Sequence, residues 1–165
     1  MKILITGATG FVGKHLVKYL KDKHKLYILV RSDSDYSSLC VKQAFTFVDN
    51  IDQLAEYLCH EKIDGIIHLA SLYVVEHKSE QLKDLMLANI YLGTAILEAC
   101  KKASVKWFLN TGTIWQNYDV PDKSDEYNPV NLYAASKQAF ITMAKYYIET
   151  SHIRFCTLKL CDTYG

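Results

Sequence analysis

Two short groups of residues carry reactive chemistry. In Tyr133-Ala134-Ala135-Ser136-Lys137 a phenol and an ammonium stand four residues apart, a spacing that puts both on one face of a helix. A free tyrosine titrates near pH ~10, too high for efficient proton exchange at neutral pH. A cation held beside it favours the phenolate and lowers that value, so Tyr133 can trade protons with a carbonyl or an alcohol. The second group is Thr6-Gly7-Ala8-Thr9-Gly10-Phe11-Val12-Gly13. Its glycines let the backbone turn tightly and approach a pyrophosphate with no Cβ in the way. The helix that follows offers free N–H groups and a partial positive charge to the phosphates. An apolar strand before the turn and an amphipathic helix after it favour dinucleotide binding over a purely steric need for glycine.

The next strand is expected to end near Val30, where an acidic side chain would bond the adenosine ribose hydroxyls and favour NAD. Arg31 and Ser32 stand there instead. A guanidinium pairs with a 2′-phosphate through two hydrogen bonds, and a carboxylate repels one. NADP(H) is therefore the expected cofactor. Asp33 and Asp35 follow closely and leave NAD possible.

These groups need a scaffold, and the hydrophobic pattern supplies one. Short apolar runs at residues 3–6, 27–30, 45–48, 65–69, 107–110 and 154–160 read as strands. Several are apolar on both faces, as a sheet covered on both sides requires. Between them, residues 11–20, 53–60, 82–102 and 132–150 have helical period, with Asp52 and Asn131 as candidate N-caps. Strand and helix in alternation predict an α/β doubly wound parallel sheet, with residues 1–165 as one domain. The least regular stretches are 32–38 and 113–130, loops of the kind that leave the carboxyl ends of strands, where such sheets bind ligands.

Composition narrows the partners. The formal net charge is +1, with no basic block or acidic tail, so neither nucleic acid nor an anionic membrane surface is expected. No apolar run approaches the ~20 residues of a membrane span. The glycines interrupt the N-terminal apolar stretch too early for a signal peptide. The five cysteines are odd in number and form no C-x-x-C pair, so no metal site is expected and the thiols read as reduced and buried. A soluble, cytoplasmic protein is the resulting expectation.

The Gly-x-x-Gly-x-x-Gly turn and the Tyr-x-x-x-Lys pair together resemble the extended branch of the short-chain dehydrogenase/reductase superfamily. This is the NAD-dependent epimerase/dehydratase family, which modifies nucleotide sugars. The resemblance covers essentially the whole chain and implies a Rossmann fold. It places Gly7, Thr9, Gly10, Phe11, Val12 and Gly13 at the cofactor phosphates, and Asp49 and Asn50 at the adenine edge. His68-Leu69-Ala70-Ser71 resembles the fourth-strand motif, implying that Leu69, Ala70 and Ser71 line the cofactor; His68 itself reads as a packed strand-end residue. Asn89 matches the structural asparagine on the long third helix, and Lys137 matches the lysine that reaches the nicotinamide ribose. The family's third catalytic partner is a hydroxyl at the end of the fifth strand, a place that Thr111 occupies. Trp115 and Tyr118 are open to either of two roles, stacking on a sugar or base, or plugging a loop.

Dehydratases of this kind carry Asp-Glu after the catalytic Thr, as acid and base for losing water. Here Gly112 and Thr113 stand at those positions, and Trp115-Gln116 replaces the Tyr-Gly that often follows. What remains is carbonyl/alcohol redox on a sugar. Arg31 favours a nucleotide-4-keto-sugar reductase with Thr111, Tyr133 and Lys137 as its catalytic residues. The alternatives are a nucleotide-sugar epimerase using bound NAD and a truncated, non-catalytic cofactor-binding protein. The resemblance also implies that most of the substrate pocket is built by a C-terminal portion beyond residue 165. The apolar surface that portion would cover, and helices 82–102 and 132–150, imply a homodimer.

Overall fold

The computed structural model describes residues 1–41, 43–119 and 126–164. Residues 120–125 of the irregular stretch 113–130, and Gly165, lie outside the described residues. Six strands form one parallel sheet: β1 (Lys2–Thr6), β2 (Lys25–Val30), β3 (Ala44–Thr46), β4 (Gly65–His68), β5 (Trp107–Thr113) and β6 (Arg154–Leu160). Their order is β3-β2-β1-β4-β5-β6, so the chain runs outward on one side of β1 and then returns to its other side. The expected doubly wound sheet is thus the one observed. Its reversal point lies between β1 and β4, where the crossover connections part and leave a crevice at the strands' carboxyl ends.

The double-sided apolar strands explain the layers. Within β1, Leu4 enters one core with Tyr27, Leu29, Ile66 and Phe108, while Ile3 and Ile5 enter a second with Leu26, Ile28 and Ile67. Helices α2 (Ile51–Glu61), α4 (Leu92–Lys102) and α5 (Leu132–Thr150) cover the first core, contributing Leu54, Leu58, Ile96, Leu97 and Phe140. Helix α1 (Phe11–Leu20) covers the second through Val17. Burying each Leu or Ile side chain contributes roughly 1.5–3 kcal/mol, which makes the two cores the main source of stability.

Three local expectations need correction. Helix α2 begins earlier than the pattern suggested, capped by Asn50, whose side chain accepts from the Gln53 backbone N–H at 3.0 Å. Asp52 lies inside the helix instead, in its first turn. The long helix is not continuous α: α3 (Leu82–Met86) passes through a π-helical turn, Leu87–Tyr91, into α4. Such turns insert one residue and re-aim side chains, commonly beside a functional site. Finally, only Cys100 of the five cysteines is buried. The other four are exposed, on loops, on α2 and on β6. No described helix is long and apolar enough to cross a membrane.

Candidate active site

The parallel register brings the ends of β1, β4, β5 and β6 to one edge: Thr6 pairs with His68, His68 with Asn110, and Thr113 with Leu160. A cleft of about 370 Å³ opens there. Its walls include Val12, Leu69, Ser71, Thr111, Tyr133 and Lys137, residues far apart in the chain. The cleft also takes in Tyr73, Gly112, Thr113, Trp115 and the Leu160–Thr163 segment.

The glycine turn is pressed against the end of β4. Gly7 adopts φ +68°, and a Cβ there would come within 2.6 Å of the Ala70 backbone nitrogen. A Cβ on Gly13 would lie 2.2 Å from the Gly7 carbonyl oxygen. Thr6 Oγ1 accepts from the Ala70 N–H at 3.1 Å and lies 2.8 Å from His68 Nδ1, which ties the turn to the fourth strand. Gly10 stands at the N-cap of α1 with no side-chain cap, and the first turn has no acidic residue. Helices α2 and α5, by contrast, are capped by Asn50 and Asn131. The first N–H groups of α1 are therefore left to an outside anion, and a dinucleotide pyrophosphate fits them. Thr9 and Phe11 flank this uncapped end.

The other expected cofactor residues spread along the same edge. Arg31, just past β2, is exposed, and its Nε lies 3.3 Å from Asp33 Oδ1. Asp49 accepts from the Tyr91 hydroxyl at 2.5 Å, which joins the end of the β3 segment to the π-helical turn. Asn50 keeps its exposed position but gives its side chain to the α2 cap.

Asn89, in that π-helical turn, is buried and fully bonded. Its Oδ1 accepts from the Leu72 N–H at 2.7 Å and bonds Ser71 Oγ at 3.2 Å; its Nδ2 donates to the Leu72 carbonyl and to Ser136 Oγ, both at 3.0 Å. One amide thus fixes the loop after β4 against α5 at Ser136, which lies between Tyr133 and Lys137 in the chain.

Asn131 caps α5 by accepting from the Ala134 N–H at 2.9 Å, and the helix presents Tyr133 and Lys137 to the cleft. Lys137 is only 2% exposed, and burial pulls its ammonium down to about 8. Tyr133 is raised above its ordinary value, mainly by burial, while a hydrogen bond with Ser71 acts in the opposite direction. The lowering of Tyr133 expected from Lys137 is not seen: burial leads, and a phenol raised in this way stays protonated at neutral pH. Burial holds His68 down to about 3, so its imidazole is neutral and packs against Phe108 and Phe140.

Thr111 lies in the cleft wall, but its hydroxyl donates to the His68 carbonyl at 3.0 Å. Thr113, one strand repeat further out, accepts from the Trp115 N–H at 3.3 Å through Oγ1. That bond leaves the Thr113 proton available to donate. Both threonines line the cleft, and sequence alone does not show how each hydroxyl is engaged.

Gly112 and Gln116 explain each other. A Cβ on Gly112 would stand 2.5 Å from Gln116 Oε1. The buried Gln116 uses that space to accept from the Thr113 N–H at 2.9 Å while donating to Gln138 on α5 at 2.7 Å. The end of β5 is thereby held in fixed relation to the helix carrying Tyr133. Beyond it, Tyr73 lies edge-on to Tyr133 with centroids 5.0 Å apart, and 5.9 Å from Trp115. Sequence reasoning missed Tyr73; its only signal was an aromatic in the loop after the fourth strand. Tyr118 is exposed and is not among the cleft-lining residues, and its backbone N–H donates to the Asn128 carbonyl.

Known proteins resemble this chain in sequence and in fold. The chain is 29% identical to CDP-abequose synthase of Salmonella typhimurium, over 99% of this chain and 53% of that protein. It is 32% identical to dTDP-D-glucose 4,6-dehydratase of Dictyostelium discoideum, over 99% of this chain and 44% of that one. The chain therefore spans about half the length of the curated relatives it matches. The crystal structure of UDP-glucose 4-epimerase from Thermotoga maritima superposes with a TM-score of 0.84 at 20% identity, over all of this chain and 57% of that one. The profile of the NAD dependent epimerase/dehydratase family matches residues 3–165, and with the glycine turn, the sheet order and the Tyr133–Lys137 cleft in place, the chain belongs to that family.

Proposed function

We propose that this chain is the cofactor-binding and catalytic half of an NADP(H)-dependent reductase acting on a nucleotide-linked 4-keto-sugar. The observation that carries this reading is the cleft itself. It holds a protonated phenol, a buried ammonium and a threonine hydroxyl able to donate beside the uncapped end of α1, and its only carboxylate among the described residues is Asp162. Elimination of water needs an acid and a base at the sugar; ketone reduction needs one proton donor. Gly7, Gly10, Gly13 and the start of α1 would hold the pyrophosphate, Asp49 and Asn50 the adenine edge, Arg31 a 2′-phosphate, and Leu69, Ala70 and Ser71 the nicotinamide side. The bound nicotinamide supplies hydride.

The rest of the chemistry belongs to the protein. Tyr133 donates its phenolic proton to the carbonyl oxygen as that oxygen becomes an alcohol, and its raised pKa keeps the proton in place until then. The hydroxyl that bonds this oxygen comes from the β5 end. Thr113 fits the task better than Thr111, whose proton is held by His68. Lys137 stabilises the phenolate left behind. The exposed apolar side chains Leu82, Leu87, Met143 and Ile148 suit a homodimer through α3, the π-helical turn and α5. A second reading, epimerisation with bound NAD, draws on the Arg31–Asp33 pair, which partly neutralises the guanidinium.

The test is titration with NADPH and NADH, followed by NADPH oxidation with nucleotide 4-keto-sugars. The reductase reading requires at least tenfold tighter NADPH, lost in Arg31→Ala, and turnover abolished in Tyr133→Phe. Tighter NADH, or turnover that survives Tyr133→Phe, overturns it.

A further inference from the structure

The π-helical turn has a second polar arm that the proton chemistry does not use. Asn89 reaches from it to the loop after β4, while Tyr91, two residues on, reaches Asp49 beyond the end of β3. The turn's own backbone is bonded: the Leu92 N–H donates to the Leu87 carbonyl, and the Thr94 hydroxyl to the Ile90 carbonyl at 2.8 Å. The Tyr91 hydroxyl donates to Asp49 Oδ1 at 2.5 Å, a short bond of the charge-assisted kind. The carboxylate pushes the Tyr91 phenol above its ordinary value, so the phenol keeps its proton and remains the donor.

Stability gives little reason for this pair. Tyr91 is 40% exposed and Asp49 is exposed too, and exposed groups exchange a protein partner for water at small net gain. What the bond does is fix a direction. Asp49 adopts φ +58°, a left-handed conformation that aspartate tolerates. The backbone is anchored on both sides of it, by the Phe47 N–H on the Val30 carbonyl at 3.1 Å and by the Asn50 cap of α2. With Oδ1 held by Tyr91, Oδ2 is left as an acceptor with no partner among the described residues. Adenine carries a 6-amino donor on its edge, whereas a 6-oxopurine carries an acceptor at the same place. An ionised carboxylate only accepts, so it bonds the first and repels the second.

We propose that Tyr91 is a positioning residue for the base of the cofactor: by holding Asp49 Oδ1 it aims Oδ2 at the 6-amino group, so that the site takes an adenine dinucleotide and rejects its 6-oxopurine counterpart. The proposal rests on the placement of Asp49 at the adenine edge and is independent of the reaction at the nicotinamide end.

The experiment titrates the full chain, by nicotinamide fluorescence, with NADPH and with its hypoxanthine analogue, in which an oxo group replaces the 6-amino group. NADH and its hypoxanthine analogue are run in parallel, because the comparison is between bases and not between phosphates. The adenine form is expected to bind about tenfold more tightly, the effect of one charge-assisted hydrogen bond. Tyr91→Phe weakens the adenine form and brings the ratio to within about twofold, since the carboxylate is then free to turn. Asp49→Asn tests the direction: with the Tyr91 hydroxyl on Oδ1, the amide presents Nδ2 to the base, and the preference turns to hypoxanthine. In the double variant Tyr91→Phe/Asp49→Asn the amide rotates freely and the preference disappears. A merely structural Tyr91 would weaken both bases equally and leave the ratio unchanged. Equal binding of the two bases by the wild type overturns the proposal, as does a ratio that survives Tyr91→Phe or an Asp49→Asn variant that still prefers adenine. No binding of any of these dinucleotides overturns both this proposal and the reductase reading. If the ratios behave as described but no keto-sugar is reduced, the reductase reading falls and the role of Tyr91 stands. If NADPH is oxidised by keto-sugars while the base ratio is flat, the reverse holds.

Discussion

Lys137→Met should make the cofactor-free chain more stable while removing its activity. The lysine is 2% exposed, and burial takes its ammonium from 10.5 to about 8. One pK unit is worth about 1.4 kcal/mol, so holding the charged form in the fold costs on the order of 3 kcal/mol. Methionine has a similar length and no charge to desolvate. The folded value is the lower one, so the folded chain binds fewer protons than the unfolded chain between about 8 and 10.5. The cost is complete below that window, shrinks across it as pH rises, and is gone above it. Urea titrations of both proteins should therefore differ by about 3 kcal/mol at about pH 6.5, and by roughly 1 kcal/mol at about pH 9.5. With a urea slope of about 1–3 kcal/mol per molar, the acid-side difference moves the midpoint by ~1–2 M. NADPH oxidation should fall by on the order of 10²–10⁴, the usual effect of removing a group that assists proton transfer. A Met variant no more stable than wild type at about pH 6.5 would refute the reasoning, because it would mean that the ammonium has a partner in the fold. So would a gain that stays constant with pH.

Two other substitutions probe the site. Thr113→Val should lower kcat by on the order of 10²–10³, the effect of deleting one donor to a developing oxyanion. Thr111→Val should act mainly on stability, by about 1–3 kcal/mol, since it leaves a buried carbonyl without its donor. Steady-state kinetics with parallel melting curves separate the two, and the reverse pattern would return the catalytic role to Thr111. Gly13→Ala places a Cβ against the Gly7 carbonyl, where both sides are backbone. It should cost about 1–3 kcal/mol of stability and weaken NADPH at least tenfold, as read by melting and fluorescence titration. Undiminished binding would show that the turn does not depend on this close approach.

The sequence by itself determined the architecture. Strands apolar on both faces require a sheet buried on both sides, and alternation with helices makes that sheet parallel, as Leu4 facing one core and Ile3 and Ile5 the other confirm. Local chemistry was equally legible wherever spacing decides it. Tyr133 and Lys137 share a helix face, Asn131 caps their helix, and Gly7, Gly10 and Gly13 make a turn.

Tertiary structure decided what depends on which partner a polar group meets. Asn50 and Asp52 are both reasonable caps by type, and only the path of the backbone out of β3 gives the first turn to Asn50. Thr111 and Thr113 are equivalent in type and strand face, yet the carbonyl of His68, more than forty residues away, engages one and leaves the other. The sign of the Tyr133 shift likewise follows from its partial burial rather than from the distance to Lys137 along the helix. Gly112 looked like the loss of an acid; in three dimensions it is the space that lets Gln116 tie β5 to α5. Periodicity reports which face a residue occupies, because that is a property of the local backbone. It cannot report desolvation or hydrogen-bond competition, because those belong to groups that meet only when the chain has folded.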